Sequence, residues 1–396
     1  MHLSALNYFF ILSVALLFSP NIHAQEILQK TSFNFGGYIK TDLLNTWYNN
    51  GDVDDRAAIR DFHIPGQIPV GEQNRNYDLD YNIKESRFNF DVTTTLLGKE
   101  VHGFLELDFL LPNQGDEKVS NSFNPRIRHF YFEWDKFTIG QTWSTFMIVL
   151  LPDEIDFTGA MDGLVFNRQP LIRYKTNNWW FSLENPETTV VPLNSSAIEV
   201  ADADILPDLV VRKNFNGKWG NWAAAGIIRT LSKSSDNMQR RALGYGITTG
   251  GKLKIGQKDD DLRIMLTAGQ GLGRYLAVNF IAGATTDEDN HLNTIGSLNG
   301  YIAYNHYWQP KLSSSFSISG FKASNYKNDV NQNLNNSSYS ISGNLKYDPI
   351  NVLRFGIEYM YGYRELLNGV NGSFHRVQLA AKYTFGYRNS ATYEKD

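Results

Sequence analysis

Six arginines fall on one parity of alternating segments: Arg87, Arg173, Arg212, Arg263, Arg354 and Arg376. Lys40 and Lys382 share that parity. Two more, Arg128 and Arg168, flank a run from Ser144 to Asn167. That run opens apolar (Phe146, Met147, Ile148, Val149, Leu150, Leu151) and turns acidic (Asp153, Glu154, Asp156, Asp162). A guanidinium grips a carboxylate through two parallel N–H donors. Fixed charges around a narrow aqueous passage set its ion preference, and low-dielectric walls concentrate their field. A basic ladder facing an acidic segment would set up a transverse field and enrich anions between them. The same cations have a plainer use, pairing with Asp91, Glu106, Asp108 or Glu358 on neighbouring faces.

Other chemistries find little support. His102, Glu106 and Asp108 share a strand face without a nucleophile or ligand set beside them, and His291, His306 and His375 are scattered. No His-Glu-x-x-His or P-loop pattern occurs. Gly269-Gln270-Gly271-Leu272-Gly273 lies at a strand end, where it reads as a bend. The acidic triplets Asp52-Asp54-Asp55 and Asp287-Glu288-Asp289 could hold calcium, but such runs are more often solvated. The chain has no cysteine, which excludes thiolate metal sites and thiol nucleophiles. A net charge of -4 without a basic stripe gives no reason to expect nucleic-acid binding. No catalytic residue, cofactor or metal is expected.

The elements that would position these charges follow a period of two. Val377, Leu379, Ala381, Tyr383 and Phe385 alternate with Arg376, Gln378, Ala380, Lys382 and Thr384. Phe88 to Leu96, Val101 to Phe109 and Leu353 to Tyr361 repeat the rhythm. Segments of about ten such residues suit a tilted membrane-crossing strand. Aromatics are 14% of the 396 residues, while mean hydropathy is only -0.35. That combination fits strands with one lipid face and one water face, girdled by Tyr, Trp and Phe.

Residues 1–24 read as a secretory signal, with apolar Leu3 to Pro20 followed by Ile22-His23-Ala24, although the start lacks Lys and Arg. A single membrane anchor is the alternative there. Beyond it, no apolar run approaches the ~18 residues a spanning helix needs. Residues 25–32 would form a short periplasmic segment, 33–385 the barrel and 386–396 a tail.

The connections alternate in length. Tight turns are expected at Leu97–Glu100, Asp135-Lys136, Asn177-Asn178, Asn216-Gly217, Gln257–Asp260, Gln309-Pro310 and Asp348-Pro349. Long polar connections are expected at 49–84, 112–125, 144–167, 186–207, 230–241, 271–294, 322–337 and 366–373. The expected fold is thus all-β: a transmembrane antiparallel β-barrel of about 16 strands, with short periplasmic turns and long extracellular loops. Such a cylinder encloses water and conducts unless plugged. The third long connection, Ser144 to Asn167, is expected to fold inward as the constriction; a loop at a subunit interface is the other reading of its apolar start.

Several segments resemble the DcaP-like family of trimeric outer-membrane porins. They are Phe35 to Asp42, Ser86 to Asp91, Arg126 to Trp134, Ile139 to Phe146, Pro152 to Phe157, Phe166 to Pro170 and Glu184 to Glu187. The order and spacing cover most of the first half; the second half matches by strand rhythm. The resemblance implies a sixteen-stranded barrel in the bacterial outer membrane, a homotrimer, and passive passage of small anionic solutes such as dicarboxylates. Members often carry a helical periplasmic extension, for which only Gln25 to Ser32 is present here. Trp222, Ala224, Gly226 and Ile228 offer a flat outer face that could pack against a neighbour. A barrel enzyme of lipase or protease type and a plugged adhesin or structural barrel are the alternatives from other classes.

Overall fold

The computed structural model describes residues 31–110, 123–201, 203–235, 238–256, 259–327 and 330–389. The strands in chain order are β1 (Ser32–Tyr48), β2 (Asn76–Asn82), β3 (Arg87–Leu96), β4 (Lys99–Asp108), β5 (Arg126–Trp134), β6 (Phe137–Trp143), β7 (Arg168–Thr176), β8 (Trp179–Glu184), β9 (Thr189–Val191), β10 (Glu199–Val200) and β11 (Asp208–Gly217). They continue with β12 (Gly220–Ser235), β13 (Met238–Lys254), β14 (Asp261–Gln270), β15 (Ala284–Thr286), β16 (Leu292–Thr294), β17 (Gly296–Gln309), β18 (Leu312–Ser324), β19 (Asn335–Ile350), β20 (Leu353–Leu366) and β21 (Asn371–Asn389).

Each long strand pairs antiparallel with its sequence neighbour. β8 joins β11, and β14 joins β17. β1 closes the ring by pairing with β21 from Phe33↔Asn389 to Tyr48↔Phe374. Its other edge pairs with β2 and then β3, which are two halves of one wall strand interrupted at 83–86. The 17-stranded sheet is therefore a closed barrel of sixteen crossings. β9, β10, β15 and β16 form a separate four-stranded sheet at the loop end, where β9 and β15 run parallel.

The side-chain pattern is inverted relative to a water-soluble sandwich. On β18, Phe316 and Ile318 are about half exposed, whereas Ser315, Ser317 and Ser319 are buried. The apolar set faces lipid and the polar set faces the interior. Closure is obligatory because an open edge in hydrocarbon would leave backbone groups without partners.

Three connections depart from the sequence reading. Gly217 pairs with Gly220, so the hairpin turns at Lys218-Trp219 rather than at Asn216-Gly217. β19 runs past Asp348-Pro349 through a register shift and turns at 351–352. The expected long connection 230–241 is mostly strand, because β12 and β13 pair as far as Ser235↔Met238. Its polar residues still alternate, and pairing continues beyond the apolar band. Gly386 to Asn389, expected as tail, extend β21 against Phe33 to Gly36. The signal at 1–24, most of 25–32, residues 390–396 and most of loop 112–125 lie outside the described residues.

The core lies inside the barrel and is built by loops. Residues 49–75, 144–167 and 271–295 bring in Ile59, Phe62, Phe146, Met161, Leu272, Tyr275 and Phe280, all essentially inaccessible. The wall makes room with small residues: a side chain at Gly246 would meet Leu272 at 2.8 Å.

Ile247 lies on the outer face of β13 near mid-strand and is 69% exposed. An arginine near the bilayer midplane costs about 2–4 kcal/mol. Ile247→Arg should lower the free energy of urea unfolding from lipid vesicles by that amount, and Ile247→Val should leave it nearly unchanged.

Candidate functional site

The segment 144–167 leaves the wall at β6 and crosses the lumen. Its short helical turn Met161–Gly163 packs on β17, β18 and β19, about half-way round the barrel. Contact is close enough that a Cβ at Gly163 would lie 2.3 Å from the Gly300 carbonyl. At its root, Glu184 accepts hydrogen bonds from Ser144 Oγ (2.6 Å), the Thr145 amide (2.7 Å) and Gln169 Nε2 (2.7 Å).

An irregular chain inside a barrel carries carbonyls that need donors. The wall supplies them from its lumen-facing positions. Arg173 donates to the Trp143 carbonyl and to Thr145 Oγ1, and Arg212 to the Met147 carbonyl at 3.0 Å. The Tyr301 hydroxyl donates to Leu150, Arg263 to Leu151, Lys346 to Asp153, and Lys40 to Ile155 at 2.6 Å. Arg376 treats the first long loop likewise, donating to the Ile59 carbonyl. Of the arginines read as a selectivity ladder, Arg173, Arg212, Arg263 and Arg376 thus hold loops in place.

The acidic residues of the segment also turn toward the wall they land on. Asp153 pairs with Lys346 at 2.9 Å and Arg354 at 3.3 Å, while Arg354 also grips Asp348 through two bonds. Burial by itself would raise the Asp153 carboxyl, but Lys346 and Arg354 hold it below its ordinary value. Asp162 accepts from Ser319 Oγ (3.0 Å) and Ser340 Oγ (2.6 Å), and its carboxylate lies 2.9 Å from His63 Nε2 on the first loop. Asp156 accepts from the His63 amide at 3.2 Å. Glu154 accepts from Ser342 Oγ at 2.6 Å. Burial, reinforced by Glu358, pushes the Glu154 carboxyl well above its ordinary value.

The arginines left facing the lumen gather on the opposite side, on β3, β5 and β7. Arg126 bonds Asp108 through two nitrogens (2.8 and 2.6 Å), and Arg128 reaches Asp108 (2.8 Å) and Glu106 (2.6 Å). A register shift between Glu106 and Leu107 faces Arg128 on β5. This bulge turns both Arg128 and His129 inward, as bulges do at barrel sites. Arg87 approaches Glu106 only at 4.0 Å. Among the described residues Arg168 makes no ion pair; it lies against Trp143 at 4.6 Å and Phe166 at 5.8 Å. Arg168 Nη1 and Arg87 Nε are buried without hydrogen-bond partners. Four guanidiniums therefore share two carboxylates, with donors to spare.

The expected site residues thus separate. Arg87, Arg128 and Arg168 come together. Asp153 and Glu154 do not face them but lock the segment to the far wall, and Asp156 bonds the first long loop through the His63 amide. Sequence reasoning missed Arg126, Lys346, Tyr301, His63 and the serines of β18 and β19. The serines had a readable signal, the alternation Ser313, Ser315, Ser317, Ser319.

Comparison with known proteins settles the wider class. The DcaP outer membrane protein family matches residues 26–385. The chain belongs to that family. Among solved structures, the outer membrane channel DcaP of Acinetobacter baumannii is similar at TM-score 0.74 and 20% identity, over 90% of this chain and 98% of that one. An anion-selective porin from Comamonas acidovorans is similar at TM-score 0.54 and 11% identity, over 90% and 100%. The trimer form of OmpT from Vibrio cholerae gives TM-score 0.52 and 12% identity, over 90% and 100%. No curated protein matches. This DcaP-family chain is an outer-membrane porin channel.

Two outcomes test the lock. Gly163→Val should dislodge the segment and raise single-channel conductance while the folded barrel keeps its heat-modifiable migration on gels. The second concerns Glu154, whose docked carboxyl holds a proton that a solvated one releases near the ordinary glutamate value. Docking should therefore weaken as pH rises above that value. Open-channel current noise should grow from acid toward neutral pH in the wild type and stay flat in Glu154→Gln.

Proposed function

We propose that this channel passes small hydrophilic solutes passively and prefers anions, carboxylates in particular. The observation that carries this reading is the unbalanced cluster of Arg87, Arg126, Arg128 and Arg168 against Glu106 and Asp108. Arg168 Nη1 and Arg87 Nε are buried without partners, so the guanidiniums are not saturated by the protein's own carboxylates. A carboxylate passing through can bond their remaining lumen-facing nitrogens, bidentately where two lie side by side. The crossing segment narrows the lumen beside them and adds no exposed anion there, since Asp153 and Glu154 are engaged on the far wall and Asp156 is buried against the first loop. The low-dielectric wall then concentrates a positive field in the remaining water. The porin of Comamonas acidovorans, described as anion-selective, shares the fold. No catalytic step, cofactor or metal enters this proposal.

We further propose a homotrimer. The wall is low on one side, where β6 has 7 residues and β8 has 6, against 17 in β13. A strand bordering the full bilayer needs about 9–11 residues. The outer face there is apolar and aromatic, with Phe130, Phe132, Trp134, Phe137, Ile172 and Phe181 exposed. A neighbouring subunit would cover this low wall better than lipid. β12, which carries Trp222 to Ile228, is a full-length strand and has no such need.

The test is the zero-current potential across a planar bilayer in a salt gradient. The wild type should show anion preference. Arg168→Ala and Arg87→Ala should each lower the anion-to-cation permeability ratio, and the double variant should bring it near unity. An unchanged ratio in the double variant would refute the anion reading.

A further inference from the structure

We infer that the outer surface carries a binding site for a phosphorylated glycolipid of the outer leaflet, built from Arg75, Trp47, Tyr77 and His375 at the long-loop end of β1, β2 and β21. The site faces lipid and is independent of what the lumen passes.

Paired strands set rings side by side on the outer face. Trp47 on β1 stands opposite Tyr77 on β2 and opposite His375 on β21. The Trp47 and Tyr77 rings are 5.4 Å apart, and His375 lies 5.0 Å from Tyr361 on β20. Trp47, Tyr77, His375 and Arg75 line one pocket of about 530 Å³, with Tyr48, Asn49 and Asn76. That volume is typical of small-molecule sites. Arg75 is exposed one residue before β2 begins, so it lies on the water side of the rings. Among the described residues it makes no ion pair and no hydrogen bond. Arg60, on the same loop, is by contrast taken by Asp55 and Asp80, each at 2.8 Å. Asp52, which reaches Asn76, is itself engaged by the Asn76 side-chain amide and by the Val53 backbone amide at 2.7 Å.

On the hydrocarbon side of the rings the outer face turns apolar, with Leu79 and Tyr81 on β2, Leu379 on β21 and Ile357 on β20 exposed. The order from water to hydrocarbon is thus a free guanidinium, a shelf of rings and an apolar track. A phosphorylated glycolipid has the same order: phosphate, sugar, acyl chains. The guanidinium can grip the phosphate through two donors. The amphipathic rings can cover the sugar, and the Trp47 indole N–H, without a partner among the described residues, can donate to a hydroxyl. A phospholipid without a sugar would leave the ring shelf unfilled. The pocket opens at the end of the barrel that carries the long loops, the outer-leaflet side of an outer-membrane porin, where such glycolipids reside.

The experiment titrates diphosphoryl lipid A against the purified full-length channel in detergent and counts bound lipid by native mass spectrometry. Arg75→Ala should weaken binding about tenfold, the effect of losing one charge-assisted contact. Trp47→Ala should weaken it about fivefold. Lys322→Ala, which removes an outward cation at the loop end of β18, should leave it unchanged. Lipid A stripped of phosphate should bind the wild type as weakly as intact lipid A binds Arg75→Ala. If Arg75→Ala binds lipid A as tightly as the wild type, the site is refuted. An equal loss in Lys322→Ala would show general surface charge at work and would also refute it. If phosphatidylglycerol binds the wild type as tightly as lipid A, the pocket is a plain anionic-lipid contact and the glycolipid assignment is overturned. Each variant must keep wild-type heat-modifiable migration; if Arg75→Ala does not, Arg75→Gln decides by the same criterion.

Discussion

The structure turns on the backbone carbonyls of a chain segment that has one short helical turn, is otherwise irregular and runs through the inside of a barrel. In the wall, closure gives each strand two neighbours, so its backbone groups pair across the sheet. Inside, residues 144–167 leave their sheet, and the carbonyls of Met147, Leu150, Leu151, Asp153 and Ile155 find donors on the wall. Those donors have to come from side chains of lumen parity, since the other parity faces hydrocarbon. Arg173, Arg212, Arg263, Lys346 and Lys40 meet successive stretches of the segment as it crosses.

This requirement divides the lumen cations into two groups. One group is consumed by anchoring, and the acids of the segment are consumed with it. Asp162 finds His63 and two serines, and Asp153 finds Lys346 and Arg354. The other group lies where the segment offers rings rather than carbonyls: Trp143, Phe157 and Phe166. A ring face attracts a cation without neutralising it. Arg87 and Arg168 therefore keep charge and donors available beside Arg128, which is itself bonded to Asp108 and Glu106.

The inner surface also explains the composition of the wall. Where loop side chains press on the wall, several lumen positions are Gly or Ser, as at Gly246 beneath Leu272 and at Ser319 and Ser340 around Asp162. Where a loop carbonyl needs a donor, the lumen position is Arg or Lys. Both kinds look equally polar in a strand pattern.

The sequence by itself determined the barrel. Alternation decides which face of each strand meets lipid, and it is a property of adjacent residues, so it survives without any knowledge of distant contacts. The strand number, the inward third loop and the grouping of arginines on one parity were all legible. Turn positions were less so: Asn216-Gly217 is a strong local signal, yet cross-strand pairing carried the hairpin two residues further. What only the tertiary structure decided was which charges are spent. Parity places Arg173 and Arg87 on the same inner surface. Whether each meets a carbonyl, a carboxylate or a ring depends on where a loop lands half-way round the barrel, and on a single bulge at Arg128. Those contacts join residues far apart in the chain, and no local pattern encodes them.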